Sequence, residues 1–564
     1  MKKTLSRLVV STLMLSIWFT SQNSWAQSDP TGMRRITDTY AITNATVFTA
    51  PGKEGMKATV LMRNGIIAGM GANLSIPSEA RVIAGDSLYI YPGFLAGNSD
   101  AGVTKPEDPE RPKDFVSSNP PDEIAGITPW RSAVDQYSTS GSGVDDLRKA
   151  GFTVVQVSPD GGMIAGKSAI MVLGNPDHSN LIAENTALAT SFRSARGMYP
   201  GTAAGVMAKF RDVYKNAELT KTHAAKYNSS TGARRPEITD TNQAMMDVIS
   251  GEVPVLFSAD DEFEIRRVLK LQKELGFKLI LTDLENYADV IPEIKASGAG
   301  VLIKLEVPDD KASKKEMDDA SEDAKMQLER VKQAYQEAVS QAAKLEEAGI
   351  PFAFSASDIK ANDVMSALKT MMENGLSEAG AMAALTTNPA NMLGLSKVAG
   401  TLAQGKMANM VIATGPLFEE DSQIKHVVVD GYIFDYETKS KKAKSANGAS
   451  SDVQIEGVWD YETESPAGSG EGTITISKSG DEYEGTITYD DPSGSGKASA
   501  PISNIELNGN SLSFTFQVNA QGMSIDIEVS GDITGNTMDG SMSLGQFGSF
   551  PLTATLNPSQ TTIK

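Results

Sequence analysis

The chain has 564 residues, a hydrophobic content of 40%, no cysteine and a formal charge of −20. That length suits roughly two to four domains with buried cores. The missing cysteines exclude disulfides, thiolate metal sites and cysteine nucleophiles, while the acidity opposes binding to nucleic acid or anionic lipid.

In chain order, Lys2, Lys3 and Arg7 precede an apolar run over residues 8–19 and then Ser24-Trp25-Ala26. This is the layout of a secretory signal peptide, predicted over residues 1–26, with a run too short to span a bilayer comfortably. No later stretch reaches about 18 uninterrupted apolar residues, so the expected location is periplasmic or extracellular, with no membrane contact after cleavage. Residues 39–82 alternate short apolar runs with turns, and Arg63-Asn64-Gly65 between two such runs signals a hairpin. Residues 89–95, 152–157, 253–257, 277–281, 300–305 and 351–354 read as strands, with amphipathic helical stretches at 262–275 and 288–296. Strand and helix alternating over 88–396 predict a parallel sheet, and the span favours a (β/α)8 TIM barrel.

Residues 309–347 are highly charged, with Met326, Val331, Tyr335, Val339 and Ala342 at helical spacing, which predicts one long surface helix. A polar linker follows at 437–452. Beyond it the pattern changes to period two, as in Leu512, Phe514, Phe516 and Val518. Glycine-containing turns recur, so residues 453–560 are expected to form an antiparallel barrel or sandwich of about eight strands.

The sharpest pattern match runs from Gly161 to Ser168, which fits G-x-x-x-x-G-K-S. A phosphate-binding loop of that type needs a helix to begin at the Lys-Ser, whereas residues 169–173 read as a strand, so nucleotide binding is not expected. There is no Gly-x-Ser-x-Gly elbow and no His-Glu-x-x-His helix. The three histidines, His178, His223 and His426, all read as solvated or internally satisfied.

Ile42-Thr43-Asn44-Ala45-Thr46-Val47, Arg63 to Ile67 and Tyr91-Pro92-Gly93-Phe94 together resemble the opening of the amidohydrolase superfamily, especially its exported imidazolonepropionase-like branch. The closing stretch is similar too: Ala384-Leu385-Thr386-Thr387-Asn388-Pro389-Ala390, Gly400-Thr401-Leu402, Gly405-Lys406 and Val429-Asp430-Gly431. The likeness runs over residues 38–436. It implies a TIM barrel flanked by a small composite β-sandwich built from residues 38–87 and 397–436, and hydrolysis of carbon–nitrogen bonds in amide-like or cyclic substrates. In that chemistry a metal-bound hydroxide attacks and an Asp at the end of the eighth strand moves the proton; Asp358 matches that Asp, or simply caps the turn.

The resemblance also implies histidine ligands, and here they are replaced. Asn98 and Asp100 stand at the first-strand pair, Ser258 at the fifth-strand histidine, and Thr282 or Asp283 near the sixth. Zinc lowers the pKa of bound water from about 15.7 to about 7; losing that shift is worth on the order of 11 kcal/mol of nucleophile activation. No nitrogen-rich metal site and no cofactor are therefore expected. Three readings remain open. Asn98, Asp100, Asp260, Asp283 and Asp358 converge into an all-oxygen site for Mg, Mn or Ca; or the chain is a pseudoenzyme that binds an amide-like small molecule or a histidine-complete relative through the retained cavity, with Asn98, Asp100, Ser258, Asp260 and Asp283 lining it; or the C-terminal β-domain carries the function.

Overall fold

A computed structural model describes residues 32–35, 39–107, 109–176, 180–193, 197–310, 321–357, 359–438, 455–465, 468–479, 482–490, 496–508, 510–520, 523–543 and 549–557. The chain divides into two compact units, Met1–Thr438 and Lys439–Lys564. The expected signal peptide and the expected linker from residue 439 onward lie outside the described residues, as do His178 and Asp358. Among the described residues no helix is long and apolar enough to cross a membrane.

The first unit opens with β1 (Gly32–Arg35), β2 (Thr39–Val47), β3 (Met56–Arg63), β4 (Ile66–Gly71), β5 (Arg81–Ala84) and β6 (Tyr89–Pro92). Asn64 and Gly65 form the two-residue turn between β3 and β4, both at positive φ (49° and 74°), the twist that suits a tight hairpin. Ten strands follow: β7 (Phe94–Ser99), β8 (Phe152–Val157), β9 (Ile164–Lys167), β10 (Ala169–Val172), β11 (Leu181–Ala183), β12 (Leu188–Ser191), β13 (Val255–Ser258), β14 (Leu279–Leu284), β15 (Gly300–Lys304) and β16 (Phe352–Ser355). The chain then returns to the first sheet through β17 (Met410–Ala413), β18 (Ile424–Val429) and β19 (Tyr432–Asp435).

The strands from the two flanks share one nine-stranded sheet, ordered β1-β19-β18-β17-β6-β2-β3-β4 with β5 on β2. A two-sheet sandwich was expected; instead one continuous ladder encloses its own core, in which Ile42, Val60, Ile90, Ile412 and Val428 are in contact. The continuity comes from β17, which pairs with β6 on one side and β18 on the other.

The central sheet is ordered β11-β10-β8-β7-β16-β15-β14-β13-β12-β9. It is a curled ten-stranded sheet and not the regular ring of eight parallel strands expected. The departure starts after β8. Only residues 158–163 separate β8 from β9, too few for the dozen or more a parallel crossover requires, so the chain comes back antiparallel. β9 pairs antiparallel with β12, and β10 pairs antiparallel with β8. Ser168 alone separates these two strands, so one short run of chain links the β8 edge to the β12 edge. That run is the segment resembling a phosphate loop, and a strand, not a helix, follows it.

Inside the curl, Leu256, Leu302 and Ala353 pack in one apolar layer with Ala187, and Ile280 rests against it. Outside it, a larger core joins sheet to helices, including Phe210 from the helix Ala203–Ser229 and Ile265, Val268 and Leu271 from the helix Glu262–Leu275. The latter helix is capped by Asp261, which accepts from the Glu264 backbone N–H at 2.7 Å, and ends on Gly276 at φ 79°. The long charged helix spans Glu322–Glu347. Its C-terminal half buries Val339 and Ala342, while Met326 and Val331 stay exposed.

The second unit is an eight-stranded antiparallel barrel: β20 (Gly457–Ser465), β21 (Gly468–Ser479), β22 (Glu482–Asp490), β23 (Lys497–Asn508), β24 (Ser511–Ala520), β25 (Met523–Thr534), β26 (Thr537–Ser543) and β27 (Ser549–Leu556). Each strand pairs with the next, and β27 closes on β20. Period-two patterning turns Leu512, Phe514 and Phe516 inward, where they meet Trp459, Ile474 and Val529. Trp459 is fully buried and its indole N–H donates to the Ile455 carbonyl at 3.0 Å. Trp459→Ala is expected to destabilise this unit by about 3–5 kcal/mol, and Trp459→Phe by clearly less. Denaturant unfolding followed by circular dichroism checks it; equal losses for the two variants would contradict the packing role.

Candidate functional site

Side chains alternate along a strand, so the residue two places beyond an interior apolar residue also faces the interior. Applied to the layer above, Leu256 leads to Ser258, Ile280 to Thr282, Leu302 to Lys304 and Ala353 to Ser355. On β8 the same step carries Val154 to Gln156 and then Ser158. Apolar filling thus gives way, at the C-terminal strand ends, to a ring of hydroxyls, the Gln156 amide and the Lys304 ammonium. A cavity of about 790 Å³ opens above it.

Asn98, Asp100, Ser258, Asp260 and Asp283 all line this cavity. Asp358 falls outside the described residues, although its neighbour Ser357 is in the lining. Asn98 is 6% exposed, whereas Asp100 and Asp260 are exposed. None of the described histidines reaches the cavity: His223 meets the Arg234 carbonyl at 2.9 Å, and His426 is paired with Asp435 at 2.6 Å inside the nine-stranded sheet.

The ring is wired in one direction. Ser158 donates to Asn98 Oδ1 at 2.6 Å and lies 2.9 Å from Ser168 Oγ, which therefore supplies the proton of that contact. Asn98 Nδ2 donates to Thr282 Oγ1 at a long 3.5 Å, and Thr282 donates onward to Asp283 Oδ1 at 3.4 Å. Ser355 donates to the same Asp283 oxygen at 2.6 Å. The series ends on a carboxylate, the natural terminus for a run of donors. Asp283 reaches this position because the β14–β15 register shifts between Leu281 and Leu284, and Asp283 takes φ 61° there. A bulge re-aims the side chain it carries.

Further out, Arg193 donates to Asp160 at 2.6 Å, with Lys105 4.0 Å from the same carboxylate. Lys304 lies between Glu306 at 2.8 Å and Glu285 at 2.9 Å; their hydrogen bonds hold its ammonium well above the usual lysine range. Elsewhere in the lining, burial pushes the Glu264 carboxyl from 4.5 up to about 7, assisted by the charges of Asp260 and Asp261.

A divalent cation fits this donor set poorly. Asn98, Ser258 and Thr282 offer neutral oxygens, and those of Asn98 and Thr282 already accept hydrogen bonds from neighbours. Among the described residues no three His, Cys, Asp or Glu side chains are grouped to hold an ion. Of the described members of the expected all-oxygen Mg, Mn or Ca site, Asp283 accepts from Ser355, while Asp100 and Asp260 are exposed in the same lining. Sequence reasoning missed Ser158, Ser355 and Glu264. The first two were legible as period-two extensions of apolar strands; Glu264, on a helix, carried no such signal.

A sequence model described as the Amidohydrolase family matches residues 197–434. An amidohydrolase from Thermotoga maritima is similar in structure over 71% of this chain and 100% of its own, with a TM-score of 0.58 at 19% identity. The fold is amidohydrolase-like. A putative prolidase from Bifidobacterium longum gives a TM-score of 0.41 at 16% identity over 70% of this chain and 94% of its own. Phenylurea hydrolase B gives 0.39 at 16%, over 70% and 96%. No curated protein matches. The matched segment holds Ser258, Asp260, Thr282 and Asp283, while Asn98 and Asp100 precede it.

The raised Glu264 carboxyl makes a stability prediction. Its folded-state value lies above the unfolded 4.5, so the folded state keeps the proton longer and loses stability as pH rises from about 4.5 to about 7. Glu264→Gln is expected to flatten that part of the profile and to raise the melting temperature above pH 7 relative to the parent. Parallel profiles in thermal denaturation from pH 4.5 to 8 would show the carboxyl is not responsible.

Proposed function

We propose that the first unit is a non-catalytic member of the amidohydrolase fold, of the exported imidazolonepropionase-like branch, that holds a small amide-like molecule in its strand-end cavity. One observation carries the reading: the positions that would present metal ligands hold Asn98, Ser258 and Thr282, and two of these are committed to a hydrogen-bonded ring. The lining carboxylates can accept from an amide's N–H and the Ser258 hydroxyl can meet its C=O, while the ring itself supplies no means of lowering the pKa of water. The cavity volume suits a small molecule, and Phe192, Leu256 and Ala189 give it apolar wall. A hydrolase acting on carbon–nitrogen bonds is the reading that bound metal would restore.

Equilibrium dialysis of the full chain against zinc, manganese, magnesium and calcium, followed by elemental analysis, decides between them. The expectation is well under about one equivalent of any metal, turnover of an amide and lactam panel at the uncatalysed level, and saturable binding of at least one panel member. Stoichiometric metal that is lost in Asp100→Ala and Asp283→Ala, with brisk turnover, would replace the binding role with a hydrolytic one.

A further inference from the structure

We infer that the cavity selects cations: its ligand carries an ammonium- or guanidinium-type group that docks toward Asp283. This rests on the cavity being a binding site and adds the charge of what it takes. The cationic side chains in the lining are each spent locally. Arg193 and Lys105 share Asp160, and Lys304 is bracketed by Glu285 and Glu306. The carboxyl side of the balance is larger even though two cations share the single Asp160: Asp260 and Asp283 line the cavity beyond those pairs, and Glu264, its carboxyl pushed up by burial beside Asp260, is not counted with them.

Asp283 gives this surplus a direction. Ser355 and Thr282 donate to its Oδ1, which orients the carboxylate without neutralising it, since hydroxyl donors bring no formal charge. It is half-buried, with Leu256 and Thr282 in the same wall, so its field is less screened than that of an exposed carboxylate. An anionic ligand would have to approach this group without a cation of its own to meet, and a neutral one would leave the charge partly desolvated and unanswered. A cation answers both, and an overall charge of −20 raises the concentration of cations around the protein.

The absence of cysteine permits a direct test that does not require the natural ligand. Ser258→Cys places the sole thiol in the cavity wall. Its modification rates by a trimethylammonium-ethyl and a sulfonatoethyl methanethiosulfonate, each divided by the rate with a free small thiol, report the local potential. The cationic reagent is expected to be favoured by about tenfold or more at low salt, and the preference to shrink in the Asp283→Asn background. If Ser258→Cys does not fold, Ser357→Cys in the same lining takes its place. A ratio at or below one overturns the inference, and a high ratio unchanged by Asp283→Asn overturns the assignment to Asp283. Failure of the binding reading would show separately, as no saturable binding from the amide panel while the rate ratio remains measurable.

Discussion

The hydrogen bonds running from Ser168 through Ser158 and Asn98 to Thr282 and Asp283 tie four places in the curled sheet to one another: the β9–β10 junction and the ends of β8, β7 and β14. Ser355 adds β16 from the other side. These groups sit directly above a close-packed apolar layer, where an unpartnered polar atom would be costly. The ring must therefore be satisfied, and it is satisfied largely from within. The bulge that brings Asp283 to the end of β14 is what lets its carboxylate close the series. Side-chain hydrogen bonds cross-link these strand ends.

The consequence for function is that architecture and chemistry separate. A curled α/β sheet with its cavity at the strand ends is compatible with hydrolysis, but the fold does not carry the activity; the side chains do. Their hydroxyls donate into the ring, the rim cations are paired, and the surplus lies with carboxylates. Glu264, held near neutrality by burial beside Asp260 and Asp261, makes the wall's charge respond to pH in the physiological range.

Much of this was legible in the chain. Helix Glu262–Leu275 stands where its amphipathic pattern put it, and the Asn64-Gly65 hairpin forms where that dipeptide occurs between apolar runs. The five strand-end residues Asn98, Asp100, Ser258, Asp260 and Asp283 converge on one cavity because strand ends in a curled sheet do so regardless of residue type. The third barrel position was not legible: residues 164–172 look like apolar strand in any topology, and only the short span 158–163 indicates that the chain must reverse. Nor was the Asp283 bulge, because positive φ at an Asp depends on register against β15, which is a tertiary choice.

The most direct test of the self-satisfied ring is a double-mutant cycle between Asn98 and Ser158, whose side chains meet at 2.6 Å across β7 and the end of β8. Unfolding free energies of Asn98→Ala, Ser158→Ala and the double variant, measured by urea denaturation with and without chelator, give the coupling. A favourable coupling of about 1 kcal/mol or more is expected, the same in both conditions. Additive losses, or a coupling that vanishes with the chelator, would mean that the strand ends are held together by something other than this hydrogen bond.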